Sequence, residues 1–369
     1  MIKVLEGTSQ RLDQLTPLHF YNPNLSEFVR RPARFLFESL TYAPAVAVEL
    51  ARQIPELPEA LGPALRASAK KPSYTRAEEV AMQVIEHVAP RREPPSLMRQ
   101  IPTGVFDNRG LELWLRSSLE RLRLPNDFRA FQQKRDKELY LAACDLDTAG
   151  RAVFGHDENA DLSISQAVQA STALPFFFKP ARIGGVDYID GGIRNTANID
   201  VAIEKGADLI ICYNPFRPFL NRRDDEEAFA AGTPLAERGL FTVANQVFRT
   251  LVHSRLRIAI QRYVSDTRFR GDILLLEPRE HDAEFFGTNP LAFWKRADSI
   301  RQGFESVRVS IESNYDEVAP LLARYGLEMD RSSARRRARR LRSKQGWRVS
   351  SQETAPRPAP ATRLHVVGA

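Results

Sequence analysis

Ser163 to Pro218 reads SISQAVQASTALPFFFKPARIGGVDYIDGGIRNTANIDVAIEKGADLIICYNPFRP, and this stretch decides the fold. Gly184-Gly185, flanked by Ala181-Arg182-Ile183 and Val186-Asp187-Tyr188, is a two-residue hairpin signal between short strands. Asp190-Gly191-Gly192 ends the second of them. Asn198 to Gly206 has the apolar spacing of a helix with glycine just past its end. Asp208 to Tyr213, DLIICY, reads as a buried strand. A carboxylate is thus presented from a strand end ahead of a helix that feeds the next strand, which is where open α/β sheets place their sites.

Asp190 admits two readings. An Asp-Gly pair on its own marks a turn. Two glycines in succession also allow a sharp turn and close approach of a partner, leaving the aspartate in a cleft as a general base toward a hydroxyl.

The run AVQASTALPFFFKP followed by GGVDYIDGGIRNTANIDVAIEKGAD resembles the C-terminal signature of the patatin-like phospholipases. In that family an Ala-Ser-x-Ala-x-Pro-x-Phe run precedes a Tyr-x-Asp-Gly-Gly/Ala motif. Glu138 to Gly155 (ELYLAACDLDTAGRAVFG) resembles an earlier strand-turn-strand of the same domain, and Ile101 to Leu119 the segment before it. The resemblance covers about residues 100–218 in the family's order. It implies a three-layer α/β/α fold around a mostly parallel sheet, and a Ser–Asp dyad that needs neither metal nor other cofactor. Asp190 would be the catalytic base of that dyad, with Gly191 and Gly192 supporting its geometry. The implied substrate is a lipid acyl ester.

Two family motifs have no counterpart here. One is a glycine-rich loop whose N–H groups hold the oxyanion; the other is the Gly-x-Ser-x-Gly elbow that presents the serine. Gly7-Thr8-Ser9 continues as Gln10-Arg11, so the second glycine is missing, and MIKVLEGTSQRLDQL reads as helix and loop. Ser163, Ser165 and Ser171 are nearby hydroxyls without elbow context, and Ser171 reads as a helix-end residue. The sheet is therefore expected to be incomplete at its N-terminus, through truncation of the sequence or in a catalytically dead relative. The chain as given is expected to be inactive for lack of the nucleophile, and to express poorly because a sheet edge is exposed.

The 369 residues, 43% hydrophobic, suffice for one large domain with appendages. We expect a domain over 1–330, with a helix-rich lid or insertion at 20–125, an α/β heart at 138–276 and closing helices at 289–327. Asn24-Leu25-Ser26 opens a helical run that PAVAVELAR at 44–52 extends, and Ser73 with Thr75 would cap a later helix. Phe35, Leu36, Phe37, Leu40, Tyr42 and Val46 read either as packing of amphipathic helices or as a lipid-facing cap. Cys144 and Cys212 lie in apolar strand-like runs, as buried small hydrophobes do in a reducing compartment. The six histidines show no metal spacing. No stretch reaches the apolar length of a spanning helix, and the N-terminus does not read as a secretory signal, so a cytoplasmic location, with or without peripheral membrane contact, is expected.

The tail differs in kind. Residues 331–369 hold eleven Lys or Arg against Glu353 alone, a charge of +10; the chain carries +7, leaving −3 on residues 1–330. SSARRRARRLRSKQGW suits a basic surface helix, and TAPRPAPATR a flexible, disordered end. Contact of 331–348 with an anionic membrane is the favoured use of that charge; nucleic acid, or solubility alone, are the others. The function expected from the resemblance is that of a patatin-like lipid acyl hydrolase. The alternatives are a dead patatin-like scaffold and a membrane- or nucleic-acid-binding adaptor acting through the tail.

Overall fold

The computed structural model describes residues 15–53, 82, 94–221, 234–266, 269–278, 296–330, 332 and 366–368. They fall in two compact units, Pro23–Phe106 and the remainder of the chain.

Among the described residues of the smaller unit the longest element is α1, Leu25–Gln53, a single helix across both expected runs. Asn24 stands before its first turn, its carbonyl accepting from Glu27 N and Phe28 N. Pro32 and Pro44 lie inside the helix, and each removes one backbone donor. Arg31 donates to Arg99 O (3.0 Å) and Ile101 O (2.8 Å), fastening the 3-10 turn Leu97–Gln100. The cap expected at Ser73 and Thr75 lies outside the described residues, as do Met1 to Gln14.

After the single helical turn Pro17–Phe20, the helices of the larger unit continue with α2, Arg109–Arg121, and α3, Phe128–Arg135, the latter capped by Asp127 accepting from Ala130 N. Strands β1 (Leu141–Asp145) and β2 (Arg151–Phe154) form a hairpin. Then come α4 (Ile164–Ser171), β3 (Ala181–Ile183), β4 (Val186–Asp190) and α5 (Ile199–Glu204). The last elements are β5 (Leu209–Tyr213), α6 (Leu240–Ser265), β6 (Asp272–Leu276), α7 (Arg296–Ser313), α8 (Tyr315–Arg324) and β7 (Val366–Gly368).

One sheet has the order β2-β1-β4-β3, with every neighbour antiparallel. The β3–β4 hairpin turns through Gly184 and Gly185 at φ +59° and +87°, the left-handed pair that two-residue turns require. A second sheet has the order β7-β6-β5, with β5 and β6 parallel and β7 antiparallel to β6. The architecture is α/β, with one sheet antiparallel throughout and the other mixed where a mostly parallel one was expected. Part of the cause is local: β1 with β2 and β3 with β4 are joined by tight turns and so can only pair antiparallel, whereas β5 and β6 are joined through α6.

Helix α4 lies on the first sheet through Ala167 and Ala170, which with Ala173 just past its end are fully buried alongside Ala143, Phe128 and Phe154. Alanines on both sides let the helix approach the strands closely. Its start is a capping box, Ser163 N donating to Gln166 Oε1 (3.1 Å) and Gln166 N to Ser163 Oγ (3.3 Å). Helix α6 buries Leu256 and Ile260 against Ile210, Cys212 and Ile273. Strand β6 is buried along most of its length. Strand β5 is one-sided instead: Ile210 and Cys212 face the core, while Ile211 and Tyr213 are about half exposed. Among the described residues β5 pairs only with β6, so the expected doubly buried strand is an edge. Helices α7 and α8 lie within the stretch 289–327 where helices were expected. Tyr325 and Arg324, at the end of α8, bond Asp272 Oδ2 at 2.7 and 2.8 Å. Of the tail expected to be flexible, Ser332 and β7 are described and the rest is not.

Candidate active site

Asp190 ends β4 opposite Ala143 of β1 and caps the 3-10 turn Gly191–Ile193. Its own N–H donates to Ala173 O at the end of α4 (3.0 Å), so helix, strand and turn meet at this residue. Its carboxylate Oδ1 accepts from Gly192 N at 2.7 Å. That is the carboxylate's one hydrogen bond among the described residues. Burial pushes the carboxyl up to about 6, with the Gly192 N–H pulling the other way.

The two glycines act through space rather than through unusual dihedrals; neither has positive φ. A Cβ on Gly191 would lie 2.5 Å from Ala142 O, so only a glycine can pass over the β1 backbone here. A Cβ on Gly192 would lie 3.0 Å from Asp190 Oδ1, crowding the carboxylate that its amide holds.

The loop beyond is pinned from three sides. Arg194 N and Asn195 N both donate to Gly191 O (3.1 Å). Asn195 Nδ2 donates to Asp200 Oδ2 (3.0 Å), and Arg151 of β2 grips the same carboxylate through both terminal nitrogens. From α6, Arg255 donates to Ile193 O and Arg194 O. Asn195 holds the loop through the Asp200 side chain rather than through the backbone. Asn198 makes no such bond: it takes left-handed φ (47°), which asparagine tolerates, and its Oδ1 is buried without a partner. Arg151→Lys keeps the charge but loses the two-pronged grip, and it is expected to cost about 1–2 kcal/mol in urea unfolding.

Two of the three candidate hydroxyls are committed elsewhere. Ser163 caps α4. Ser165 is fully buried, donating to Glu112 Oε1 (2.8 Å) and accepting from Asn126 Nδ2 (2.9 Å). Ser171 is the last residue of α4. Cys144 and Cys212 are buried and free, and burial raises both thiols, Cys212 to about 11.

Sequence reasoning missed a second polar cluster, at the carboxyl ends of β5 and β6. Asn214 Nδ2 donates to Glu277 Oε1 (2.6 Å), and His253 Nε2 lies 3.3 Å from the same oxygen. His253 looks isolated in the sequence, because spacing along a chain cannot show a partner 24 residues away. Burial lowers its pKa, with Glu277 opposing and Arg217 and Arg257 adding to the effect. Among the described residues no group of three His, Cys, Asp or Glu side chains could hold a metal, and no helix is long and apolar enough to cross a membrane.

The site sits at the end of a longer match. Residues 20–203, from before α1 to within α5, match the family model described as patatin-like phospholipase. They belong to the patatin-like phospholipase family. Asp190 and the Arg151–Asp200 grip lie inside the patatin-like region; Arg255 and the His253–Glu277 cluster lie beyond it. A curated relative, "Probable lipid hydrolase 463L" of Invertebrate iridescent virus 6, is 29% identical over 77 residues, 21% of this chain and 27% of the relative. The chain thus spans about a quarter of that relative's length.

Proposed function

We propose that the patatin-like region serves a lipid acyl hydrolase of the phospholipase A or esterase type, with Asp190 as general base of a Ser–Asp dyad. The observation that carries this reading is the state of Asp190: a largely enclosed carboxylate pushed up to about 6, held among the described residues by one backbone N–H and by no cation. A carboxylate kept for structure is ordinarily ion-paired, as Asp200 is. In the proposed reaction the serine Oγ attacks the acyl carbonyl while its proton passes to Asp190. Backbone N–H groups hold the oxyanion. The tetrahedral intermediate then expels the alcohol, which takes the proton, and water repeats the sequence on the acyl-enzyme.

The serine and the glycine-rich loop are, in this reading, supplied from outside the 369 residues. The encoding DNA upstream of the Met1 codon tests that: a glycine-rich turn and a Gly-x-Ser-x-Gly in frame would supply the dyad. An in-frame stop there would favour the second reading, a non-catalytic patatin-like scaffold, which the lack of an elbow in this sequence supports. Hydrolysis of a short-chain nitrophenyl ester by the full product that includes the nucleophile, with and without Asp190→Asn, tests the enzyme itself.

We assign the protein to the cytoplasm, with peripheral membrane contact through residues 331–348. At about 1 kcal/mol per basic residue near an anionic surface, replacing Arg335, Arg336 and Arg337 by Gln is expected to weaken partition onto phosphatidylglycerol vesicles at least about ten-fold. Unchanged co-sedimentation would leave the tail without that role.

A further inference from the structure

Helix α6 reaches the Asp190 turn with one side chain. Arg255 donates through Nη1 to Ile193 O and through Nη2 to Arg194 O. The rotation of the helix that allows this is fixed by its buried residues. Val252, Leu256 and Ile260 face inward, and the last two pack on Ile210 and Cys212 of β5 and Ile273 of β6. Asp190 belongs to the other sheet, β2-β1-β4-β3. Arg255 therefore ties the turn behind the carboxylate to a helix seated on the second sheet. It also lies beyond residues 20–203, the patatin-like region.

The hydrogen bonds of the turn show what depends on that tie. Gly191 O accepts from Arg194 N and Asn195 N, and Gly192 O from Thr196 Oγ1 at 3.2 Å. Those donors all come from the loop itself. The next two carbonyls, Ile193 O and Arg194 O, converge on one point, and there they accept from the guanidinium. Neighbouring carbonyl oxygens repel each other. A planar cationic fork with two N–H groups satisfies both at once, which neither an amide nor an ammonium can do. At the opposite end of the same turn, Gly192 N holds Asp190 Oδ1 at 2.7 Å. A cation at the carbonyl end keeps the amides aligned and polarises them toward that N–H.

We propose that Arg255 is a positioning residue for Asp190: it fixes the turn whose Gly192 amide aims the carboxylate at the hydroxyl it deprotonates. This inference rests on the Ser–Asp reading, and its test can fail separately from that reading. In the product that carries the nucleophile, Arg255→Gln is expected to lower kcat on a short-chain nitrophenyl ester about ten-fold, with KM unchanged. Arg255→Lys, a point charge in place of the fork, should recover part of the loss. Arg262→Gln, which removes an exposed charge two turns further along α6, should leave kcat unchanged. The deciding measurement is the double variant. Because Arg255 acts through Asp190, Arg255→Gln should cost less than about two-fold once residue 190 carries the Asp190→Asn change. In the 369-residue chain, the Gly192 amide should exchange with solvent about ten-fold faster in Arg255→Gln, while the β1–β4 ladder keeps its protection.

An unchanged kcat in Arg255→Gln overturns the inference. So does an equal loss in the wild-type and Asp190→Asn backgrounds, which would make Arg255 a support of the fold and nothing more. So does a Gly192 amide that exchanges no faster. If Asp190→Asn itself costs nothing, the dyad falls, and the exchange rates still report whether Arg255 holds the turn.

Discussion

In a product that carries the nucleophile, Asp190→Asn is expected to lower ester hydrolysis by about 10²–10⁴-fold, the usual worth of a positioned general base, while in the 369-residue chain it should make the fold more stable at neutral pH. The amide is close to isosteric, and its oxygen can still accept from Gly192 N, so the turn should survive. What disappears is the capacity to take a proton. Because the carboxyl is pushed up to about 6, the wild-type rate at limiting substrate should climb about ten-fold per unit below pH 6 and level off above it. A patatin-like region whose activity ignores this change would leave Asp190 with no catalytic part.

The stability arm follows from the same burial. The folded carboxyl titrates at about 6 and the unfolded one near 4, so the folded state binds the proton more tightly. The associated stability is present in full below about pH 4 and is lost as pH rises through 6. Above that the ionised group weighs against folding by up to about 3 kcal/mol. The amide of the variant carries no such charge. Urea midpoints of variant and wild type should coincide near about pH 4 and separate toward about pH 7.5, with the variant higher. This arm needs no nucleophile and can be read on the 369-residue chain. A gap that does not change with pH would mean that the carboxyl is not held as the structure holds it.

Local chemistry made much of this architecture legible. Gly184-Gly185 between alternating apolar residues specified a hairpin, and the glycines carry the positive φ it needs. Apolar spacing from Asn198 with a glycine just past its end located α5, and the apolar run DLIICY located β5. Each of these is a property of neighbours in sequence. The order β2-β1-β4-β3 is not, nor is the position of β5 at an edge, because strand pairing is decided by elements far apart in the chain. The polar framework was hidden for the same reason: Arg151 meets Asp200 across 49 residues, and Arg255 reaches Ile193 O across 62. A carbonyl clamp by one arginine leaves no pattern in sequence. The Asp190 motif was visible, but the reason for its glycines was only half visible. The left-handed residues of this loop are Ala197 and Asn198, and the glycines are there because β1 and the carboxylate are too close to admit a Cβ.

Gly191→Ala is therefore expected to be among the most damaging single methyl additions in the chain. Its Cβ would stand 2.5 Å from Ala142 O, 2.6 Å from Ala142 C and 2.9 Å from Ala143 N. These are backbone atoms of β1, which pairs on both sides, with β2 and with β4, and Ala143 is fully buried beneath α4. Neither strand can yield without breaking ladder bonds or opening the alanine packing, so the cost should reach about 3 kcal/mol or more in urea unfolding. Gly184→Ala is the control. Its Cβ would meet nothing within 4 Å, and the strain of left-handed φ alone should cost about 1–2 kcal/mol. Gly192→Ala should separate the two effects. Its contact is with the movable Asp190 carboxylate, so stability should fall little while the carboxyl is pushed off the Gly192 amide and hydrolysis falls with it. If Gly191→Ala unfolds at the same urea concentration as Gly184→Ala, β4 does not press against β1 at this point. The register that sets Asp190 opposite Ala143 would then fall, and with it the enclosure that makes the carboxylate a base.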